Sequence, residues 1–206
     1  MASNKFDVRF TGKSAHAGAN PELGHNALAA ASTAVLNLLA IPRHSKGLSR
    51  INIGTLEAGP ARNAVPDTAL MKVETRGLVE EINDFVHEKA LKIIQHAAMM
   101  YDCSYDIEYM GGTASVDCDE DLIDTVIDSI KDIEGIKEIK RSIEFGAGED
   151  FTYMMKEVQQ KGGKSTFIML GSDLPDAHHS KKFDFDEEIL MTGANIFAKL
   201  ALDLVR

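Results

Sequence analysis

Two loops hold the residues whose types best suit chemistry. The first is Asp176-Ala177-His178-His179-Ser180, followed by Phe183-Asp184-Phe185-Asp186-Glu187-Glu188. Neutral imidazole is a common ligand for transition metals, and loops at the carboxyl ends of strands are where α/β sheets place ligands. The plainer reading is two solvated histidines ahead of a helix that Asp184 or Asp186 caps. A metal site needs three or four ligands, and no HExxH, CxxC or HxD pattern stands nearby. The second loop is Ser14-Ala15-His16-Ala17-Gly18, where a lone histidine is either solvated or catalytic.

Two further groups could support such a site. In Gly148-Glu149-Asp150-Phe151 the carboxylates Glu149 and Asp150 follow a glycine turn and open a helix, as a cap or as part of a site. Arg62-Asn63 precede Pro66, and Arg76 ends the next strand. An arginine and an asparagine close together suit a substrate carboxylate, because guanidinium forks onto its oxygens. The alternative is a surface salt bridge and a turn asparagine. His25, His44, His87 and His96 have no patterned company and read as structural or solvated. Phosphate-loop, dinucleotide-binding and nucleophile-elbow patterns are absent.

The elements that must position these residues follow from hydrophobic spacing. Phe6, Val8 and Phe10 alternate with polar residues as in a half-buried strand, which the pattern starts at Phe6. Leu28, Ala31, Val35, Leu38 and Leu39 recur at helical spacing before Pro42. Strands follow at Arg50 to Leu56 and around Met71, Val73 and Thr75, then a long amphipathic helix from Glu80 to Tyr101. Tyr105, Ile107 and Tyr109 make a last strand, ended by Gly111 and Gly112. The order β-α-β-β-α-β predicts a ferredoxin-like domain over 5–113.

The remainder, 114–206, predicts an α-β-α-β-α segment: an incomplete layered α/β unit. Its helices are an acidic one around Leu122 to Ile130, one from Glu149 to Gln160, and a terminal one through Ile189, Ile196 and Leu200. Its strands are a short one at Ile136 to Ile139 and an apolar one at Thr166 to Leu170, buried on both faces. Such a sheet normally has more strands.

Composition narrows the partners. With 206 residues and a net charge of −10, the chain is a globular protein unsuited to nucleic acid or an anionic membrane surface. Cys103 and Cys118 form no metal or disulfide pattern and suit a reducing cytosol. No apolar run is long enough to span a membrane, and Met1 to Lys5 does not read as a signal peptide.

Taken together, FTGKSAHAGANPELGHNALAAA (10–31), AIPRHSKGLSRINIG (40–54), RNAVPDTALMKVETRG (62–77), GAGEDFTYMM (146–155) and AHHSKKFDFDEEIL (177–190) resemble the M20 family of metallopeptidases and amidohydrolases, in its aminobenzoyl-glutamate branch. The resemblance covers nearly the whole chain. It implies that the ferredoxin-like domain is a lid that forms a homodimer. It implies that His179 is a metal ligand and that His16 reaches the partner subunit's active site to steady an oxyanion. Asn63 and Arg76 then bind substrate, Arg76 through a carboxylate. Glu149 joins the catalytic residues and Asp150 the substrate-binding ones.

The cofactors implied are two divalent ions, zinc or manganese. The reaction is hydrolysis of an amide bond to an amino acid, with a small-molecule substrate such as p-aminobenzoyl-glutamate, in the cytoplasm. The chain departs from the family in lacking the half that supplies the first His-x-Asp motif, the general base and the remaining ligands. It is therefore expected to be inactive alone. Two rivals are a stand-alone dimerisation or ligand-binding module, and one chain of a split enzyme with a second subunit.

Overall fold

The computed structural model describes residues 1–143, 149–176 and 180–205. Two compact units emerge. One holds Met1–Val116 and the start of a later helix up to Met154; the other takes the chain from Asp117 and again from Met155.

In the first unit, β1 (Ala2–Thr11), α1 (Ala27–Leu39), β2 (Ser49–Ala58), β3 (Thr68–Gly77), α2 (Glu80–Met100) and β4 (Ser104–Thr113) follow one another. The sheet order is β2-β3-β1-β4, and every neighbouring pair is antiparallel. That is the ferredoxin-like plan expected from the sequence. Phe6, Val8, Phe10, Met71 and Val73 fill one sheet face and pack on Ala30, Ala31, Ala34 and Leu38 of α1 and on Ala90, Ile94 and Ala97 of α2. The alanines let both helices approach the sheet closely. The other face carries the alternate residues, which are mostly charged.

β1 starts at Ala2, earlier than the alternation indicated. Ser3 and Asn4 lack the apolar period, yet Ala2 pairs with Gly77 and Ser3 with Thr113. The Ser3 and Thr113 hydroxyls meet at 2.9 Å. The ladder, not the side-chain pattern, extends this strand.

At the start of α1 the Asn26 side chain accepts the Ala29 amide at 3.0 Å. This satisfies one of the first-turn amides that no helical carbonyl can reach. Asn26→Ala is expected to cost about 1 kcal/mol, measured by urea denaturation against the parent chain. A change within error would show that the cap is redundant.

The second unit contains α3 (Glu120–Ile130), the later part of α4 (Phe151–Gln160) and α5 (Glu188–Leu204). Val126 and Ile130 of α3 pack on Ile196 and Leu200 of α5, with Ile136, Ile139 and Ile168 against them. The two strands expected here do not form among the described residues. Ile136 to Ile139 is irregular, and in Thr166 to Leu170 the side chain of Phe167 is 40% exposed and that of Met169 43%. A buried strand takes its backbone bonds from neighbouring strands. Here one backbone bond, from the Asp119 amide to the Ser165 carbonyl at 3.0 Å, is what the flanking chain offers. Asp119 is further tied by the Gln159 side chain and the Ser165 amide, each at 2.8 Å, and these bonds hold its carboxyl below the usual carboxylate range. Ahead of α5, Asp186 accepts the Glu188 amide at 3.0 Å, but the N-cap position falls to Glu187, whose side chain makes no cap bond, so the cap expected of Asp184 or Asp186 does not form.

Candidate functional site

His16 sits on an exposed loop that β1 delivers and a second loop braces. Gly12 donates to Asp67, Val65 to Ala15 at 2.9 Å, and Ala17 to Asn63 at 3.0 Å. These bonds zip the loop after β1 to the loop before β3. His16 itself pairs with Ala64 as an isolated bridge. Gly12 has to be glycine, because a Cβ there would strike the carbonyl of His25.

Within the loop, the amides of Gly18 and Ala19 donate to His16 Nδ1 at 3.1 and 3.0 Å. A backbone N–H can only donate, so Nδ1 is the acceptor and a neutral ring carries its proton on Nε2. The backbone thus turns an outward-facing N–H toward solvent, the group needed to meet a developing negative charge. Asn63 is brought beside His16 by the Ala17 bond and is likewise exposed.

Arg76 is not brought to this place. It lies near the far end of β3, opposite Ser3 at the start of β1, whereas His16 follows the end of β1. From Thr68 to Arg76 the strand runs roughly 26 Å at ~3.3 Å per residue. Asn63 and Arg76 therefore cannot share one carboxylate within one chain, contrary to the proximity their sequence spacing suggested. The strand expected around Met71, Val73 and Thr75 does form, and its extended rise is what separates them.

Glu149 and Asp150 fall at the Arg76 end. Their carbonyls accept the amides of Thr152 and Tyr153 as α4 begins, and Thr152 Oγ1 accepts the Ala114 amide just beyond β4 at 3.1 Å. Their backbone position is that of a helix start, as the plainer reading held. The candidates thus form two groups in this unit: His16 with Asn63, and Arg76 with the Glu149–Asp150 segment.

Sequence reasoning missed two cations. In the sheet register Arg50 stands directly opposite Arg76, and Lys5 opposite Glu74. Arg76 Nη2 donates to Glu74 at 3.0 Å. Ser3, Lys5, Glu74, Arg76 and Thr113 line one shallow depression. Strand parity would have put each residue on a face, but only pairing sets them side by side. His87 has a structural role: its Nε2 meets Tyr109 Oη at 2.8 Å and its ring stands edge-on to Phe6. Burial lowers its pKa below the ordinary imidazole range, against the opposing pull of Asp84 and Glu88.

His179, the expected metal ligand, and its neighbour His178 lie outside the described residues. Among the described residues no three His, Cys, Asp or Glu side chains are grouped to hold a metal ion. The described side chains therefore do not fit a metal pair by themselves.

Residues 2–102 match the peptidase dimerisation domain of the M20 family. This stretch belongs to the M20 family. Its M20 relatives include a p-aminobenzoyl-glutamate hydrolase subunit of Escherichia coli, 43% identical over 98% of this chain and 47% of the relative. Indole-3-acetyl-aspartic acid hydrolase of Enterobacter agglomerans is 42% identical over the same shares. The chain spans about half the length of the curated relatives it matches. Among solved structures, the aminobenzoyl-glutamate utilization protein of Klebsiella pneumoniae superposes with a TM-score of 0.89 at 39% identity, covering 98% of this chain and 48% of that one. A dinuclear metal binding M20 peptidase of Bacillus subtilis shares the fold, with a TM-score of 0.67 at 21% identity over 99% of this chain and 50% of that one. No described helix is long and apolar enough to cross a membrane.

Proposed function

We propose that this M20 chain supplies the lid and part of the catalytic domain of an amidohydrolase that cleaves an amide bond to an amino acid, p-aminobenzoyl-glutamate or a similar N-acyl amino acid. The unit built on the sheet is the lid, and the unit of α3 and α5 is the C-terminal part of the catalytic domain. The observation that carries this reading is His16, whose Nδ1 is held by two backbone amides so that Nε2–H faces outward. A donor so fixed suits the oxyanion of an amide under attack. Asn63 stands beside it to orient the substrate, and Arg76 binds a carboxylate.

The opposed placement of His16 and Arg76 along the sheet supports a site completed by two protomers. A two-fold interface sets residue i of one protomer against residue j of the other and j against i, so opposite ends of the two copies can share one site. The second unit supports the catalytic-domain assignment in another way. It leaves Phe197 71% and Met191 68% exposed on α5, apolar surface that a larger core would cover. Two divalent ions, zinc or manganese, belong to the intact site in this reading. His179 contributes one ligand to them in this reading, while most ligands come from the half that the longer relatives carry besides the stretch matched here. A further, different enzyme chain is compatible with the Escherichia coli relative, which is named as one part of a hydrolase. The cytoplasm suits the two free thiols.

The test joins the N-terminal half of the Escherichia coli relative ahead of this chain and assays p-aminobenzoyl-glutamate hydrolysis. The chain alone serves as an inactive control. His16→Ala and Arg76→Ala chimeras are each expected to lose nearly all activity. Unfolding and refolding the two together is expected to restore about one quarter of parent activity, since half of the dimers are mixed and each mixed dimer has one intact site. No recovery in verified mixed dimers would refute the shared site. Full activity of the chain alone would refute the partial-enzyme reading.

A further inference from the structure

We propose that His25 is a positioning residue, whose ring ties the base of the His16 loop to the end of α2 and so holds the oxyanion donor in place. His25 matters to the reaction only as far as His16 meets the oxyanion, as read above.

The loop has a closed base. Lys13 and His25 form an antiparallel bridge, with the Lys13 amide donating to the His25 carbonyl at 3.0 Å and the His25 amide to the Lys13 carbonyl at 2.9 Å. Residues 14–24, His16 among them, lie between the two halves of this bridge. Gly12 packs on the His25 carbonyl, and a Cβ there would also stand 3.0 Å from Cys103 Sγ. The bridge therefore rests against the turn that follows α2.

Two bridged residues can still pivot together, and the His25 side chain opposes that. Its Nδ1 lies 2.8 Å from the Asp102 carbonyl. A carbonyl only accepts, so Nδ1 of His25 carries a proton, the reverse of His16, whose Nδ1 accepts. Asp102 is a firm anchor. It takes the left-handed φ of 54° that closes α2, its amide reaching the Met99 carbonyl at 3.3 Å while the Cys103 amide reaches that of Ala98 at 3.0 Å. Ala97 and Ala98 are buried in the sheet–helix core.

The bonds of Ala15 and Ala17 to Val65 and Asn63 hold the loop separately. Two braces thus set it, one from the chain before β3 and one from the end of α2. Removing the His25 ring leaves the first brace and both backbone bonds of the bridge. The donor is then loosened, not lost, and a donor aimed in advance is what lowers a barrier.

The test has two parts. In the whole chain, hydrogen exchange of the Gly18 and Ala19 amides is followed by NMR. His25→Ala is expected to speed it about tenfold, the weight of one hydrogen bond, while the amides of α1 stay unchanged, which separates local loosening from a weakened fold. His25→Asn, which keeps an N–H at the position of Nδ1, is expected to restore the parent rates. In the chimeric enzyme, His25→Ala is expected to lower kcat about tenfold with KM little changed. Added to His16→Ala, it is expected to cost nothing more, because it acts only through that ring. Unchanged exchange, an unchanged kcat, or a loss that multiplies with that of His16→Ala overturns the positioning role and leaves the oxyanion reading standing. A His16→Ala chimera with parent kcat removes the oxyanion reading and this role with it.

Discussion

In the chimeric enzyme, replacing His16 by alanine is expected to lower kcat by roughly 10²–10³-fold, about 2.7–4 kcal/mol of transition-state stabilisation, with KM little changed. The size follows from what the ring is held to do. Two backbone amides fix Nδ1 as an acceptor, so a neutral ring presents Nε2–H without any reorganisation cost at the moment of reaction. The substitution removes that donor and the acceptor of the Gly18 and Ala19 amides, which are exposed and can turn to water, while the ring itself packs in no core. Thermal stability is therefore expected to stay within about 0.5 kcal/mol of the parent. His16→Gln, which retains a side-chain N–H, is expected to recover part of the loss. A raised KM with an unchanged kcat would assign His16 to ground-state binding and end its role as an oxyanion donor.

The largest stability effect belongs to Phe6. Its ring is fully buried at the centre of β1, opposite Val73 on one side and Tyr109 on the other, and 5.1 Å from the His87 ring. Phe6→Ala removes those contacts and leaves a cavity that a strand hydrogen-bonded on both edges cannot collapse to fill. The expected loss is about 3–5 kcal/mol, a fall in Tm on the order of 15–25 °C for a domain of this size. The natural comparison is Leu36→Ala on α1, where the side chain is 72% exposed and the expected change is within about 0.5 kcal/mol. Thermal denaturation of both variants decides it. Equal effects at the two positions would mean that the sheet–helix core does not govern the stability of this unit.

Of the two histidines on which the functional reading turns, only one has a described environment. His16 could be singled out from its glycine- and alanine-rich loop, but its tautomer could not. That depends on Gly18 and Ala19 folding their amides back onto Nδ1, and on the distant loop through Asn63 and Val65 holding the segment in place.

Hydrophobic periodicity alone determined the six elements of the sheet unit and their order. Alternation in Phe6-Val8-Phe10 and helical spacing in Leu28 to Leu39 express local rules that any chain with one core must satisfy. Periodicity over-read Thr166 to Leu170, because an apolar run is a strand only where other strands offer it hydrogen bonds. The tertiary structure decided the rest. It separated Arg76 from His16 and Asn63 by the length of β3, and it set Arg50 and Lys5 around Arg76. Pairing register is a relation between distant segments, fixed by the joint packing of both sheet faces. No single segment carries that information.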